Sequence, residues 1–202
     1  MIKMEKMEKL IVITTKLKII SVLAFLIGSP ISYAKVTYSE NDLKQFEKTN
    51  ICIKCDLTSA RIDGKENAVL DGSILIDAYL SGHMSGSSYV NSVLTKTRTS
   101  FYGIYSMSSN FKGAVLTHAN FNNAHLSGSS FENVNLSKAD LSESNLSSSN
   151  FNGANVSGVN FNRSILIGSN LTQEQLKQAK SYFCAVLPDG TLASPEHEWQ
   201  NC

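Results

Sequence analysis

Broken into fives, residues 111–171 read FKGAV LTHAN FNNAH LSGSS FENVN LSKAD LSESN LSSSN FNGAN VSGVN FNRSI LIGSN L. A large apolar residue opens each group, and the series extends back to Phe101: Phe101, Phe111, Leu116, Phe121, Leu126, Phe131, Leu136, Leu141, Leu146, Phe151, Val156, Phe161, Leu166 and Leu171, broken only by Ser106. Two residues before most of these centres stands Ala or Ser, as at Ala114, Ala119, Ser129 and Ala139, and between them stands Asn or Asp, as at Asn120, Asn135 and Asp140. Gly and Ser are common just after the centre, as in Ser127-Gly128 and Ser157-Gly158. A spacing of five suits neither regular element. On a helix it walks around the cylinder without forming a stripe, and on a long strand it alternates between faces. It suits a chain that turns a corner every five residues, with the centre and the small residue inward and the Asn or Asp outward, where its side chain bonds nearby backbone.

Sorting by twenty sharpens the pattern. Phe101, Phe121, Leu141 and Phe161 fall on one side; Phe111, Phe131, Phe151 and Leu171 fall on another, over Ser109, Ser129, Ser149 and Ser169. Four groups then make one coil, and coils stack about 4.8 Å apart as hydrogen-bonded strands do.

The runs Ala119-Asn120-Phe121, Ala139-Asp140-Leu141 and Ser149-Asn150-Phe151 resemble the A-(D/N)-(L/F)-x-x unit of the pentapeptide-repeat family. The resemblance implies an all-β fold, a right-handed quadrilateral β-helix. The flanks, Cys-x-x-Cys-Asp-Leu before the repeats and Phe-Cys…Pro-Asp-Gly after them, resemble those of the same family.

Earlier units are out of phase. Ala68-Val69-Leu70 resumes three residues late after Ala60-Arg61-Ile62, and the frame slips again between His83 and Ser100. Loops or bulges are expected at 63–67 and 83–100, with His83, Met84, Tyr89, Tyr102, Tyr105 and Met107 outward. Open ends need covering. Tyr38 to Lys48 reads as a short helix begun by Ser39. Thr172 and Gln175 fit a capping box opening a second helix, followed by an apolar strand from Tyr182 to Leu187. The expected organisation is an address at 1–34, a helical cap at 35–51, the β-helix at 52–171 (irregular at 63–100, regular at 101–171) and a C-terminal cap at 172–202.

The address is a secretory signal by layout: lysines at the start, an apolar run from Ile19 to Gly28, then Ser32-Tyr33-Ala34. That run is shorter than the ~20 residues that span a bilayer. Cleavage after Ala34 predicts a periplasmic or secreted chain with no membrane attachment. Of the chain's 18 basic and 17 acidic residues, 13 and 15 remain after the cut, a net of −2. Charged content of 17% is low, so the charge needed to neutralise phosphates is missing and no nucleic-acid partner is expected.

Cys52 and Cys55 occupy inward positions, which favours buried thiols or a structural disulfide over redox chemistry. No Cys/His pair sits nearby to complete a zinc site. Cys184 and Cys202 both fall in the C-terminal segment, where a bridge would contribute about 3 kcal/mol; four cysteines allow three pairings. His83, His118, His125 and His197 share no metal-ligand spacing. Five Asn-x-Ser/Thr sequons, at Asn135, Asn145, Asn155, Asn162 and Asn170, arise chiefly from the spelling of the repeat. With no phosphate loop, nucleophile elbow or carboxylate pair, the expected role is a non-catalytic scaffold or binding module, without cofactor, for an unidentified protein partner. Tyr89, Tyr102 and Tyr105 are its candidate contacts, and homodimerisation stays open. A topoisomerase-binding DNA mimic, which some members of the resembled family are, needs rows of outward carboxylates; a carbohydrate-active β-helix enzyme needs clustered charge. Neither is present in 101–171.

Overall fold

The computed structural model describes residues 38–99, 103–193 and 202. The expected address at 1–34, Phe101, Tyr102 and His197 lie outside the described residues.

The chain forms stacked coils joined by parallel bridges in four columns. The first column runs Ile51, Val69, Ser88, Asn110, Ser130, Asn150, and the second Asp56, Ile74, Val93, Val115, Asn135, Asn155. The third begins with strands β1 (Arg61–Gly64), β2 (Tyr79–Gly82) and β3 (Arg98–Thr99), and continues upward as Asn120, Asp140, Asn160 and Ser181. The fourth holds His83, Tyr105, His125, Asn145, Ile165 and Val186. In the coils below Ser181 each residue in an isolated bridge faces outward, and the residue after it is the buried centre, as Phe111 is after Asn110.

One quintet shows how sequence makes this shape. The Asn110 side-chain oxygen accepts the Lys112 N–H at 3.0 Å, and the Ala114 N–H returns to the Phe111 carbonyl at 2.9 Å. Asn120, Asn135, Asp140, Asn145, Asn150, Asn155 and Asn160 each make the first bond two residues on. The residue before the return adopts the left-handed conformation, as at Gly113 (φ 68°), Lys138 (φ 60°) and Arg163 (φ 56°). The short amide therefore fixes the corner, and the corner accepts non-glycine residues despite their steric cost.

The first column advances by 18, 19 and 22 residues and then by 20 twice. The two expected irregularities are corrected accordingly. Residues 63–67 carry no insertion: β1 runs straight past the corner and the first coil is two residues short of twenty. Residues 83–99 are regular, with buried Met84, Tyr89 and Leu94 at five-residue spacing. The slip lies between Thr99 and Ser106, because Asn120 bonds Thr97 and so sets Phe121 over Thr99 rather than Phe101. The even spacing thus begins at Ser106.

Met84 fills the shaft beside the short first coil. A Cβ on Gly64 would fall 2.0 Å from its Cγ, so only glycine leaves room. Helix α1 (Glu40–Thr49) starts with the Ser39 hydroxyl accepting the Asp42 N–H and buries Phe46 in the core. Helix α2 (Gln173–Gln178) has the capping box, and its Gln175 amide donates to the Phe151 and Ala154 carbonyls at 2.9 and 3.1 Å. Tyr182 to Leu187 is not one strand: a corner at Phe183-Cys184 (φ 56°) divides it, and Val186 pairs antiparallel with Leu192.

Candidate functional site

The interior is occupied by side chains. Tyr89, Phe111, Phe131 and Phe151 stack with ring centroids 4.6, 5.2 and 5.0 Å apart. Leu116, Phe121, Leu126, Leu136, Leu141, Leu146, Val156, Phe161, Leu166 and Leu171 are buried around them. Serines share the shaft because most of them satisfy backbone; the buried Ser169 hydroxyl is the exception, with no partner among the described residues. The Ser129 hydroxyl donates to the Ser106 carbonyl at 2.9 Å and accepts the Ser109 N–H at 3.2 Å. Ser106, the break in the apolar series, is itself buried, and its hydroxyl donates to that of Ser109 at 2.9 Å.

The cysteines form two bridges, Cys52–Cys55 and Cys184–Cys202, with Cα atoms 5.5 and 5.4 Å apart. No metal-holding group of His, Cys, Asp or Glu occurs among the described residues. None of their helices is long and apolar enough to cross a membrane.

Of the three candidate contact tyrosines, Tyr102 lies outside the described residues. Tyr89 must be withdrawn. It is a buried centre, its hydroxyl donates to the Met84 sulfur at 3.2 Å, and burial pushes its phenol well above the ordinary range. Met84, expected outward with it, is buried too.

Tyr105 is outward, and its neighbours make the fourth side the most distinctive surface. Its ring stacks between those of His83 and His125 at 4.7 and 4.3 Å. Beside it, at the next corner, stands exposed Met107; three coils higher Ile165 and Ile167 repeat the arrangement, 39% and 47% exposed. From 105 to 168 neither the outward column nor the corner after it holds a Lys, Arg, Asp or Glu. The preceding corner does, in Glu143 and Arg163, which with His125 and Asn145 border an open recess of about 520 Å³. Sorting outward positions by twenty, as was done for the inward ones, would have brought Tyr105, Met107, Ile165 and Ile167 together in the sequence.

The outward carboxylates form no row. Asp140 is the acid of its column above β3, and its oxygen is engaged by the Ser142 N–H and the Asn160 amide. Elsewhere Lys112 and Glu132 pair across coils at 3.0 Å.

The pentapeptide repeat region family model matches residues 104–180, starting at buried Ile104, two residues before Ser106. Residues 104–180 are a pentapeptide-repeat region. No curated protein matches the chain. Among solved structures, the chain is similar to HetL, a protein involved in heterocyst differentiation regulation from the cyanobacterium Nostoc sp. strain PCC 7120, with 22% identity over 70% of this chain and 65% of that one and a TM-score of 0.48. It is similar to Rfr23 from the cyanobacterium Cyanothece 51142, with 22% identity, 66% and 95% coverage and a TM-score of 0.29. QnrB1, a plasmid-mediated fluoroquinolone resistance protein, aligns at 22% identity over 70% and 73% with a TM-score of 0.36. The chain thus spans less than two thirds of HetL.

Proposed function

We propose that this chain is an exported, non-catalytic, right-handed four-sided β-helix, closed by a helix at each end, that binds protein through the side bearing Tyr105. The observation that carries the reading is the division between a filled interior and one uncharged outer face. Side chains and their hydrogen bonds occupy the shaft, so chemistry has only the outside to work on. There the fourth side presents Tyr105, Met107, Ile165 and Ile167 exposed. Apolar residues clustered on one exposed face of a polar molecule favour a protein partner. Export is supported by the secretory layout of residues 1–34 and by two disulfides, which persist in oxidising compartments. The absence of a carboxylate row on the described faces weighs against DNA mimicry.

Expression of the full chain followed by fractionation and mass spectrometry tests export: the expected product is periplasmic or secreted, begins at Lys35 and carries both bridges. A photo-crosslinking residue at position 105 tests binding in the same cells. Protein adducts there, and none from position 150 on another side, are expected. An intact N-terminus in the cytoplasm, or an adduct-free position 105, would overturn the corresponding half of the proposal.

A further inference from the structure

The fourth side has a symmetry of its own. Tyr105 and Met107 lie in the third coil, Ile165 and Ile167 in the sixth, and the two coils between present His125, Ser127, Asn145 and Ser147. Two apolar pairs therefore flank a smaller polar centre, about 14 Å apart at the strand spacing. The members of each pair sit alike, one at mid-side and one at the following corner.

We infer that a second copy of this chain docks on this side, with the two coil axes antiparallel and a two-fold axis between the fourth and fifth coils. The inference rests on the reading of this side as a protein-binding surface and names its occupant. A two-fold contact must be self-complementary. An axis lying in the interface and across the coils keeps each residue's lateral place while reversing coil order. Tyr105 then meets Ile165 of the second copy, Met107 meets its Ile167, and His125 and Ser127 meet its Asn145 and Ser147. Every apolar residue finds an apolar one, and Glu143 and Arg163 of the preceding corner face that same corner of the second copy rather than its Met107 or Ile167.

The parallel alternative fails on the same residues. A two-fold axis along the coils mirrors the lateral places, so the corner of Ile167 would lie on the corner holding Arg163 of the other copy. That would bury a guanidinium against an aliphatic side chain with no acid opposite it. Charge selects the antiparallel arrangement.

Area sets the strength. The side from His83 to Val186 spans about 24 Å and is about 15 Å wide with its corners, so two copies bury roughly 700 Å², below standard specific interfaces and in the range of weak, transient contacts. The dimer is accordingly weak and concentration-dependent, with a dissociation constant of roughly tens to hundreds of micromolar.

Sedimentation velocity of the purified chain from 10 µM to 1 mM tests this. The expected result is a monomer at the low end and a dimer at the high end. Tyr105→Lys and Ile165→Glu are each expected to stay monomeric at 1 mM with unchanged circular dichroism, because neither side chain enters the shaft; Tyr105→Lys also gives up its stacking on His83 and His125, so its melting temperature falls slightly. Mixed in equal amounts, they are expected to regain the dimer, since the antiparallel contact sets the lysine of one copy against the glutamate of the other. Wild type monomeric at 1 mM, single variants that still dimerise, or a mixture that stays monomeric would each overturn the inference. Cellular adducts at position 105 to another protein, with a monomeric purified chain, would leave the protein-binding reading standing and remove only the second copy.

Discussion

Tyr89 shows what one residue contributes to a shaft this narrow. Its ring lies against Phe111, 4.6 Å away and parallel, and its hydroxyl has the Met84 sulfur as acceptor. Because burial raises the folded-state pKa above the ordinary phenol value of about 10, the neutral phenol is held in the native state. The stabilisation is complete below pH 10. Above it, the unfolded chain loses the proton and the folded chain keeps it, so stability falls by up to about 1.4 kcal/mol per pH unit from this group. Urea titrations between pH 9 and 11 are expected to show a shallower decline for Tyr89→Phe than for wild type. Equal slopes would mean the phenol ionises in place.

Corners give a second prediction at this scale. Lys138 holds a left-handed φ of 60°, so Lys138→Gly relieves strain at some cost in unfolded-chain entropy and should leave the melting temperature unchanged or higher. Gly103, at φ 80°, would bring a Cβ to 2.0 Å from the Asn123 carbonyl oxygen. Gly103→Ala is therefore expected to destabilise by about 2 kcal/mol or more, read from the midpoint of urea unfolding. No loss there would mean the third coil has another path to Tyr105.

At the scale of an element, the repeated quintet is stabilised by its column. Phe131 is buried between Phe111 and Phe151, so Phe131→Ala should cost about 3–5 kcal/mol. Helix α2 is short and depends on its opening turn. Thr172→Ala removes the hydroxyl that accepts the Gln175 N–H at 3.1 Å and is expected to cost about 1 kcal/mol. Both are checked by equilibrium denaturation. The fivefold spacing was readable wherever the centre was Phe or Leu and the small residue Ala. It was hidden in 83–99, where the centres are Met84, Tyr89 and Leu94 and the small positions Ser87, Ser92 and Thr97. These polar residues belong inside because each hydroxyl is engaged: Ser87 accepts the Ala68 N–H at 3.0 Å, Ser92 donates to the Leu70 carbonyl at 2.6 Å and Thr97 to that of Leu75 at 2.8 Å. A hydropathy pattern cannot register a hydroxyl satisfied from the coil below. The same limit hid the fourth side, whose members are twenty residues apart and meet only once the coils are stacked.

At the scale of the whole molecule, each coil contacts only its neighbours, so stability is a sum of local terms and opening starts from the ends. Hydrogen exchange is expected to protect the amides of Phe121, Leu136 and Leu141 most, and those of Cys52 and Lys54 least. Uniform protection would indicate a single cooperative unit.

The corner at 99–106 has one more consequence. Two surplus residues are absorbed there, and the columns above continue undisturbed, with Tyr105 over His83 and His125 over Tyr105. Columns that resume in register after a coil of twenty-two residues separate length from shape. A lineage built this way can append a lap and gain height by one strand spacing, while every existing wall keeps its markings.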